Sequence, residues 1–239
     1  MDERERRSSA SGIAEVLGHP VVQRLSAALA RRVPQGMDLD VSTRRAAVAL
    51  ILRVGERGLL ELLMIRRAEF EGDPWSGHIA LPGGREEPCD RSLEDTVIRE
   101  TREETALDLM HDARIFGRLD DLGPHSAPLP RITITPFVAA YGASGLVTLS
   151  PEVAEAFWVP VEALRDPRAS REIVLELTGG PRRVPSFEHE GRIIWGLTER
   201  ILRQFLSLTP SERFVQTGAR REAREVARPS RGRTGRLPR

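Results

Sequence analysis

The sequence has no lysine, one cysteine and no internal repeat in its 239 residues. With Cys89 alone no intramolecular disulfide can form, which suits a reducing compartment. No apolar run approaches the roughly 20 residues that a membrane-spanning helix requires. The opening Met1-Asp2-Glu3-Arg4-Glu5-Arg6-Arg7 is too polar for a secretory signal. A cytoplasmic protein without a membrane partner is therefore expected. All 36 basic residues are Arg, which reads mainly as the codon usage of a GC-rich genome, and 35 acidic residues nearly balance them. A net charge of +1 gives no global argument for nucleic acid. The length suits one sizeable domain with extensions, or two small ones.

Residues 1–11 are charged and Ser-rich and are expected to be disordered. Between Ile13 and Val33 the apolar residues recur at helical spacing, with a break at His19-Pro20, so 12–42 reads as a helical extension. The runs Arg45 to Arg53 and Leu59 to Ile65 flank a Gly-containing turn and predict a β-hairpin. His78 to Leu81 is a short extended piece leading into Pro82-Gly83-Gly84. After an acidic helix come strands at Ala113 to Leu119 and Ile132 to Tyr141, the latter marked as an edge or bulge by Pro136. Pro124 to Pro130 is a loop containing His125. Glu152 to Val159, Ile173 to Leu177 and Arg183 to Phe187 read as strands, Val161 to Leu164 as a short helix, and Ile193 to Leu208 as a long one. Residues 209–239 form an Arg-rich tail expected to be disordered and solvated, so a nucleic-acid partner is not expected. Helices scattered among non-periodic strands point to an α+β sandwich on a mixed sheet.

The chain is organised around Gly83-Gly84 and the acidic segment Ser92 to Leu107. Glu100, Glu103 and Glu104 stand at i, i+3 and i+4 and share one helical face. A lone E-x-x-E-E is more often a solvated face. Here a Gly-Gly turn precedes it, where backbone approaches a metal or phosphate without a Cβ in the way. Ser92-Leu93-Glu94-Asp95 resembles a capping box that fixes the helix start. Arg99 stands beside the carboxylates and is expected to hold one of them in a bidentate pair. Oxygen donors alone suit a hard cation such as Mg²⁺ or Mn²⁺.

These residues resemble the signature of the Nudix hydrolases, G-x5-E-x7-R-E-U-x-E-E-x-G-U with U bulky and apolar. Gly84, Asp90 and Arg99-Glu100-Thr101-Arg102-Glu103-Glu104-Thr105-Ala106-Leu107 follow its order. Asp90 replaces the loop Glu, eight residues rather than seven precede Arg99, Thr101 takes the apolar position and Ala106 replaces the last Gly. The Asp and the added residue are similar to the coenzyme A pyrophosphatase branch. Leu63-Met64-Ile65-Arg66-Arg67, Ser76-Gly77-His78-Ile79-Ala80 and Ile194-Trp195-Gly196-Leu197-Thr198 resemble further signatures of that branch. His78 stands where the branch usually has Gln.

The resemblance covers about residues 43–208 and implies a Nudix-like α/β/α sandwich. It implies Mg²⁺- or Mn²⁺-dependent hydrolysis of a pyrophosphate linkage in a nucleoside diphosphate derivative. Coenzyme A or its acyl derivatives come first, giving 3′,5′-ADP and 4′-phosphopantetheine. ADP-ribose or another such nucleotide is the alternative, and a non-catalytic ligand sensor is the rival from another class. Carried over by position, Glu100, Glu103 and Glu104 with a Gly83 or Gly84 carbonyl hold the metal, and Arg99 orients them. The general base is Glu152, Glu155 or a Glu of the box. Arg66, Arg67, Trp75, His78 and Gly84 are the candidates for substrate contact, with one of the two arginines held as a structural pair. Cys89 reads as loop filler, for want of a nearby His. Some family members are dimers, and Ile13 to Val33 would serve either as a dimer contact or as a cap on the core.

Overall fold

A computed structural model describes residues 3–37, 43–72, 75–123, 131–143, 147–177 and 180–209. The Arg-rich tail from 210 onward and His125 lie outside the described residues.

The strand β1 (Arg44–Val54) sets the plan. Its side chains alternate between two apolar clusters: Leu50 and Leu52 face one, Ala47, Ala49 and Ile51 the other. A strand buried on both faces reads as the continuous apolar run seen here. β1 pairs antiparallel with β2 (Leu60–Arg67), completing the expected hairpin around a 3₁₀ turn at Glu56–Gly58. It pairs parallel with β6 (Ile132–Tyr141), which in turn pairs with β5 (Ala113–Arg118). The two-residue β3 (Ile79–Ala80) and β7 (Val153–Pro160) join β2, and β4 (Gly83–Arg85) joins β1. The sheet is thus mixed and seven-stranded.

One face is covered by α1 (Glu3–Gly18), α2 (Pro20–Ala30) and α6 (Gly196–Leu208), which bring Val16, Val22, Leu25, Leu29, Leu202 and Phe205 to the first cluster. The other is covered by α3 (Leu93–Thr105) and the single-turn α4 (Leu109–Asp112), bringing Leu93, Val97 and Leu109 to the second. The expected α/β/α sandwich results. A short α5 (Val161–Arg165) and an antiparallel sheet of β8 (Ser170–Leu177), β9 (Gly180–His189) and β10 (Arg192–Trp195) complete it.

Several expectations are corrected. The stretch 1–11, expected as disordered, is helical from Glu3. It is anchored where the buried Ser9 hydroxyl donates to Asp112 at 2.6 Å and where Gly12 packs on Gly142. The break at His19-Pro20 is present: His19 accepts from the Val21 N–H at 3.3 Å and Pro20 starts α2 without needing a donor. Ile13, Val16, Leu17, Val21, Val22, Leu25 and Leu29 pack on the core of their own chain, as a cap does.

Pro136 lies inside the sheet and not at an edge, while the alternative of a bulge has a counterpart in the register shift of the partner β5 between Ile115 and Gly117. Its carbonyl accepts from the Leu119 N–H at 2.8 Å, and antiparallel pairing resumes at Leu122 and Ile134. Ile193 to Trp195 is strand β10, and α6 begins only at Gly196. The tail boundary at 209 also shifts, because Thr209 is buried and its hydroxyl is bonded to Arg165.

Candidate active site

The glycine turn is itself a strand. Gly83 sits at φ 137° against the Ala47 carbonyl, which any Cβ there would strike, so only glycine lets β4 lie on β1. A Cβ on Gly84 would collide with the carboxyl group of Glu100. The loop after it delivers Asp90, and Ser92 caps α3 by accepting from the Asp95 N–H at 3.1 Å. At its far end α3 closes on Ala106 in the left-handed region, φ 58°.

Arg99 ties loop and helix together. Its Nε and Nη2 donate to the two oxygens of Asp90 at 3.0 and 2.9 Å, Nη1 to Glu100 at 3.0 Å and Glu103 at 3.1 Å, and Nη2 to the Arg85 carbonyl at 3.0 Å. The bidentate partner is thus Asp90 on the loop, where a helix carboxylate was expected. The Arg99 hydrogen bonds hold the Asp90 carboxyl well below the usual range.

Glu104 is 3% exposed and accepts from the Gly83 N–H at 2.9 Å. Burial pushes its carboxyl up to about 8. The Gly83 hydrogen bond and the charge of Arg67 oppose that shift, and the negative charges of Glu100 and Glu152 add to it. Burial also pushes Glu100 up, against the pull of Arg99.

Glu152 comes from a different part of the chain and arrives by a backbone strap. The Thr148 N–H donates to the Thr105 carbonyl at 3.0 Å and the Ser150 N–H to the Glu104 carbonyl at 3.1 Å. The Glu152 N–H then donates to the Ser150 hydroxyl at 3.3 Å. Glu100, Glu103, Glu104, Ser150, Pro151 and Glu152 line one depression of about 210 Å³.

Glu155 is elsewhere, held by Arg66 at 3.3 Å and by Arg192, whose hydrogen bonds lower its pKa. Arg66 is therefore held in a structural pair. His78 packs on the Trp195 ring with centroids 4.5 Å apart. Its N–H donates to the Trp75 carbonyl at 3.2 Å, and its own carbonyl accepts from the Arg67 N–H at 3.0 Å. Of the sequence candidates the fold brings Glu100, Glu103, Glu104 and Glu152 together, with Gly84 and Arg99 beside them. Arg66, Arg67, Trp75 and His78 do not line this depression. Cys89 is exposed, with the carboxylates of Glu87 and Asp90 as its polar neighbours.

Sequence reasoning overlooked the Ser150-Pro151 wall, whose signal is the turn chemistry of Ser-Pro just ahead of Glu152.

Four carboxylates around one depression are a donor set for a hard divalent cation. Buried Glu104 bears its charge only with a compensating cation nearby, and the bare backbone of Gly84 leaves Glu100 the room it needs. Among the described residues no three ligating side chains are already drawn together at metal spacing. Arg99 engages Glu100 and Glu103, while Glu104 faces the Gly83 N–H. The residues fit such an ion once the exposed Glu103 side chain turns inward.

Residues 43–177 match the family model of the NUDIX domain. The chain is similar to the uncharacterized Nudix hydrolase NudL of Yersinia pestis (strain Pestoides F). The two are 31% identical over 167 residues, covering 69% of this chain and 79% of that protein. Among solved structures it is similar to a binary complex of the C. elegans Ap4A hydrolase (22% identical, TM-score 0.42, 50% of this chain and 82% of that one). It is also similar to the NUDIX domain of Shewanella oneidensis NrtR complexed with ADP ribose (22% identical, TM-score 0.41, 52% and 80%).

Proposed function

The chain belongs to the Nudix hydrolase family, and from that membership we propose a Mg²⁺- or Mn²⁺-dependent enzyme that splits a pyrophosphate linkage in a nucleoside diphosphate derivative. The substrate is coenzyme A or an acyl derivative of it, cleaved to 3′,5′-ADP and the corresponding 4′-phosphopantetheine. The observation that carries the reaction type is the convergence of Glu152 on Glu100, Glu103 and Glu104 in one depression. The choice of coenzyme A is supported by Asp90 with its added residue before Arg99, and by the branch-like stretches at 63–67, 76–80 and 194–198.

Glu100, Glu103 and Glu104, with a carbonyl from Gly83 or Gly84, would hold the divalent cation. When bound, such an ion neutralises phosphate oxygens and makes a bound water more acidic. Glu152 acts as general base, taking the proton of the water that attacks phosphorus as the bond to the bridging oxygen breaks. Arg99 is a positioning residue: it fixes Glu100 and Glu103 against the loop. The charge of Arg67 reaches Glu104, and Arg67 meets the substrate phosphates, while Trp75 and His78 border the nucleotide.

The test is chromatographic separation of the products formed from coenzyme A, ADP-ribose, NADH, diadenosine polyphosphates and nucleoside triphosphates with Mg²⁺. Coenzyme A should give the highest kcat/KM. Preference for ADP-ribose would overturn the substrate, and no turnover of any of them would favour a ligand sensor.

A further inference from the structure

A second pocket of about 400 Å³ opens at the end of the β1–β4 ladder, lined by Thr43, Arg44, Arg45, Arg85 and Glu86. Three guanidinium groups face one carboxylate there. Arg45 pairs with Glu86 at 3.1 Å, and the Glu86 N–H donates to the Arg45 carbonyl at 2.9 Å, so these two neutralise each other. Arg44 and Arg85 make no ion pair among the described residues. Arg85 stands opposite Ala46, and Arg44 is two residues from Ala46 on β1. Since side chains alternate along a strand, Arg44 and Arg85 project from the same face as diagonal neighbours. Two like charges held that close repel, and an anion between them removes the repulsion. Guanidinium groups present forked donors that match phosphate oxygens.

We propose that this pocket is a binding site for a phosphate monoester or free phosphate, gripped by Arg44 and Arg85. Its position links it to the carboxylate depression. Arg85 follows Gly84, which lies against Glu100, and the Arg85 carbonyl accepts the Arg99 hydrogen bond at 3.0 Å. Adjacent residues of a strand project to opposite faces, so a ligand touching both places would pass round the edge of β4. A phosphate here has two sources. It is either a monoester carried by the substrate away from the scissile linkage, which rests on the function proposed above, or free inorganic phosphate.

Calorimetric titration of the full chain with adenosine 5′-phosphate, adenosine 3′,5′-bisphosphate and inorganic phosphate separates these. The bisphosphate should bind about tenfold more tightly than the monophosphate. The Arg44→Ala/Arg85→Ala double variant should lose that advantage, and Arg44→Lys/Arg85→Lys should keep part of it. Binding of inorganic phosphate that depends on the same arginines, with no gain for the bisphosphate, would identify free phosphate as the ligand. Equal affinities for every probe in the wild type and the alanine variant would overturn the site. Both side chains are exposed, and a melting curve of each variant confirms folding. Coenzyme A turnover is read separately, so its absence counts against the proposed function while the titration still decides the pocket.

Discussion

Arg99 and Asp90 form a two-pronged pair, Nε to Oδ1 at 3.0 Å and Nη2 to Oδ2 at 2.9 Å, across the loop that precedes α3. The Asp90 side chain is only 4% exposed, so little water replaces these bonds. Folding lowers the Asp90 pKa from its ordinary 3.8, so the pair stabilises the fold above that value. The contribution is lost as pH falls below it. Asp90→Asn should lower stability at pH 7 by about 2 kcal/mol, and should flatten the loss of stability below pH 4. Chemical denaturation at pH 7 and at pH 3 checks both. Equal losses at the two pH values would remove the charge from the account.

Glu152 and Glu155 are three residues apart and have opposite surroundings. Glu152 lines the depression with the α3 carboxylates, while Glu155 is held between Arg66 and Arg192. A carboxylate gripped by two guanidinium groups is a poor proton acceptor. Glu152→Gln should lower kcat by about 10² to 10⁴ with little change in melting temperature. Glu155→Gln should leave the base in place and act mainly on stability. Comparable kcat losses in the two variants would return the question of the base to Glu155.

The two glycines of β4 separate folding from site geometry. Any side chain on Gly83 meets the Ala47 backbone, which has no room to yield. A Cβ on Gly84 meets only the end of the Glu100 side chain, which can swing away. Gly83→Ala should therefore be strongly destabilised, whereas Gly84→Ala should melt near the wild type and lose Mg²⁺-dependent turnover. Thermal melts paired with activity assays distinguish them, and a fully active Gly84→Ala would show that Glu100 does not need its present position.

The acidic helix, the glycine turn and the β1–β2 hairpin were legible because each depends on neighbours a few residues away. What escaped depends on distant partners. Residues 3–11 look solvated by composition, yet Ser9 is buried against Asp112, more than a hundred residues on. Pro136 looks like an edge or bulge marker, and its place inside the sheet shows only once β5, with its register shift, is known to pair beside it. Ile193 to Trp195 is too short an apolar run to separate strand from helix until β9 supplies a partner. Within the site, the spacing placed Glu100, Glu103 and Glu104 on one face. The partner of Arg99 required knowing that the loop folds back, and that an aspartate one residue further from Arg99 still reaches it.

Ala106 is a departure from the family signature with a measurable consequence. It ends α3 at φ 58°, a conformation that crowds its Cβ and that glycine adopts freely. Its N–H donates to the Arg102 carbonyl at 2.9 Å, so the cap itself is formed. Ala106→Gly should raise stability by about 1 kcal/mol, or about 2–4 °C in melting temperature for a domain of this size. A lower melting temperature would mean that the methyl group contributes more packing than the strain removes.

Glu104 makes the metal-free protein lose stability as pH rises from about 4.5 to about 8. Its carboxyl, ordinarily near 4.5, is pushed up to about 8 by burial. In the unfolded chain it ionises near the lower value, whereas in the fold it keeps its proton. The associated stability is therefore fully present below about 4.5 and is lost as pH rises towards about 8. Glu104→Gln keeps an oxygen for the Gly83 N–H and has nothing to titrate, so its melting temperature should fall less across that window. Mg²⁺ competes with the proton for the ionised carboxylate, so the melting-temperature gain from adding it should grow from pH 5 to pH 8 in the wild type and be small in the variant. A melting series in EDTA and in Mg²⁺ measures both. A wild-type gain that is the same at the two pH values would separate Glu104 from the metal.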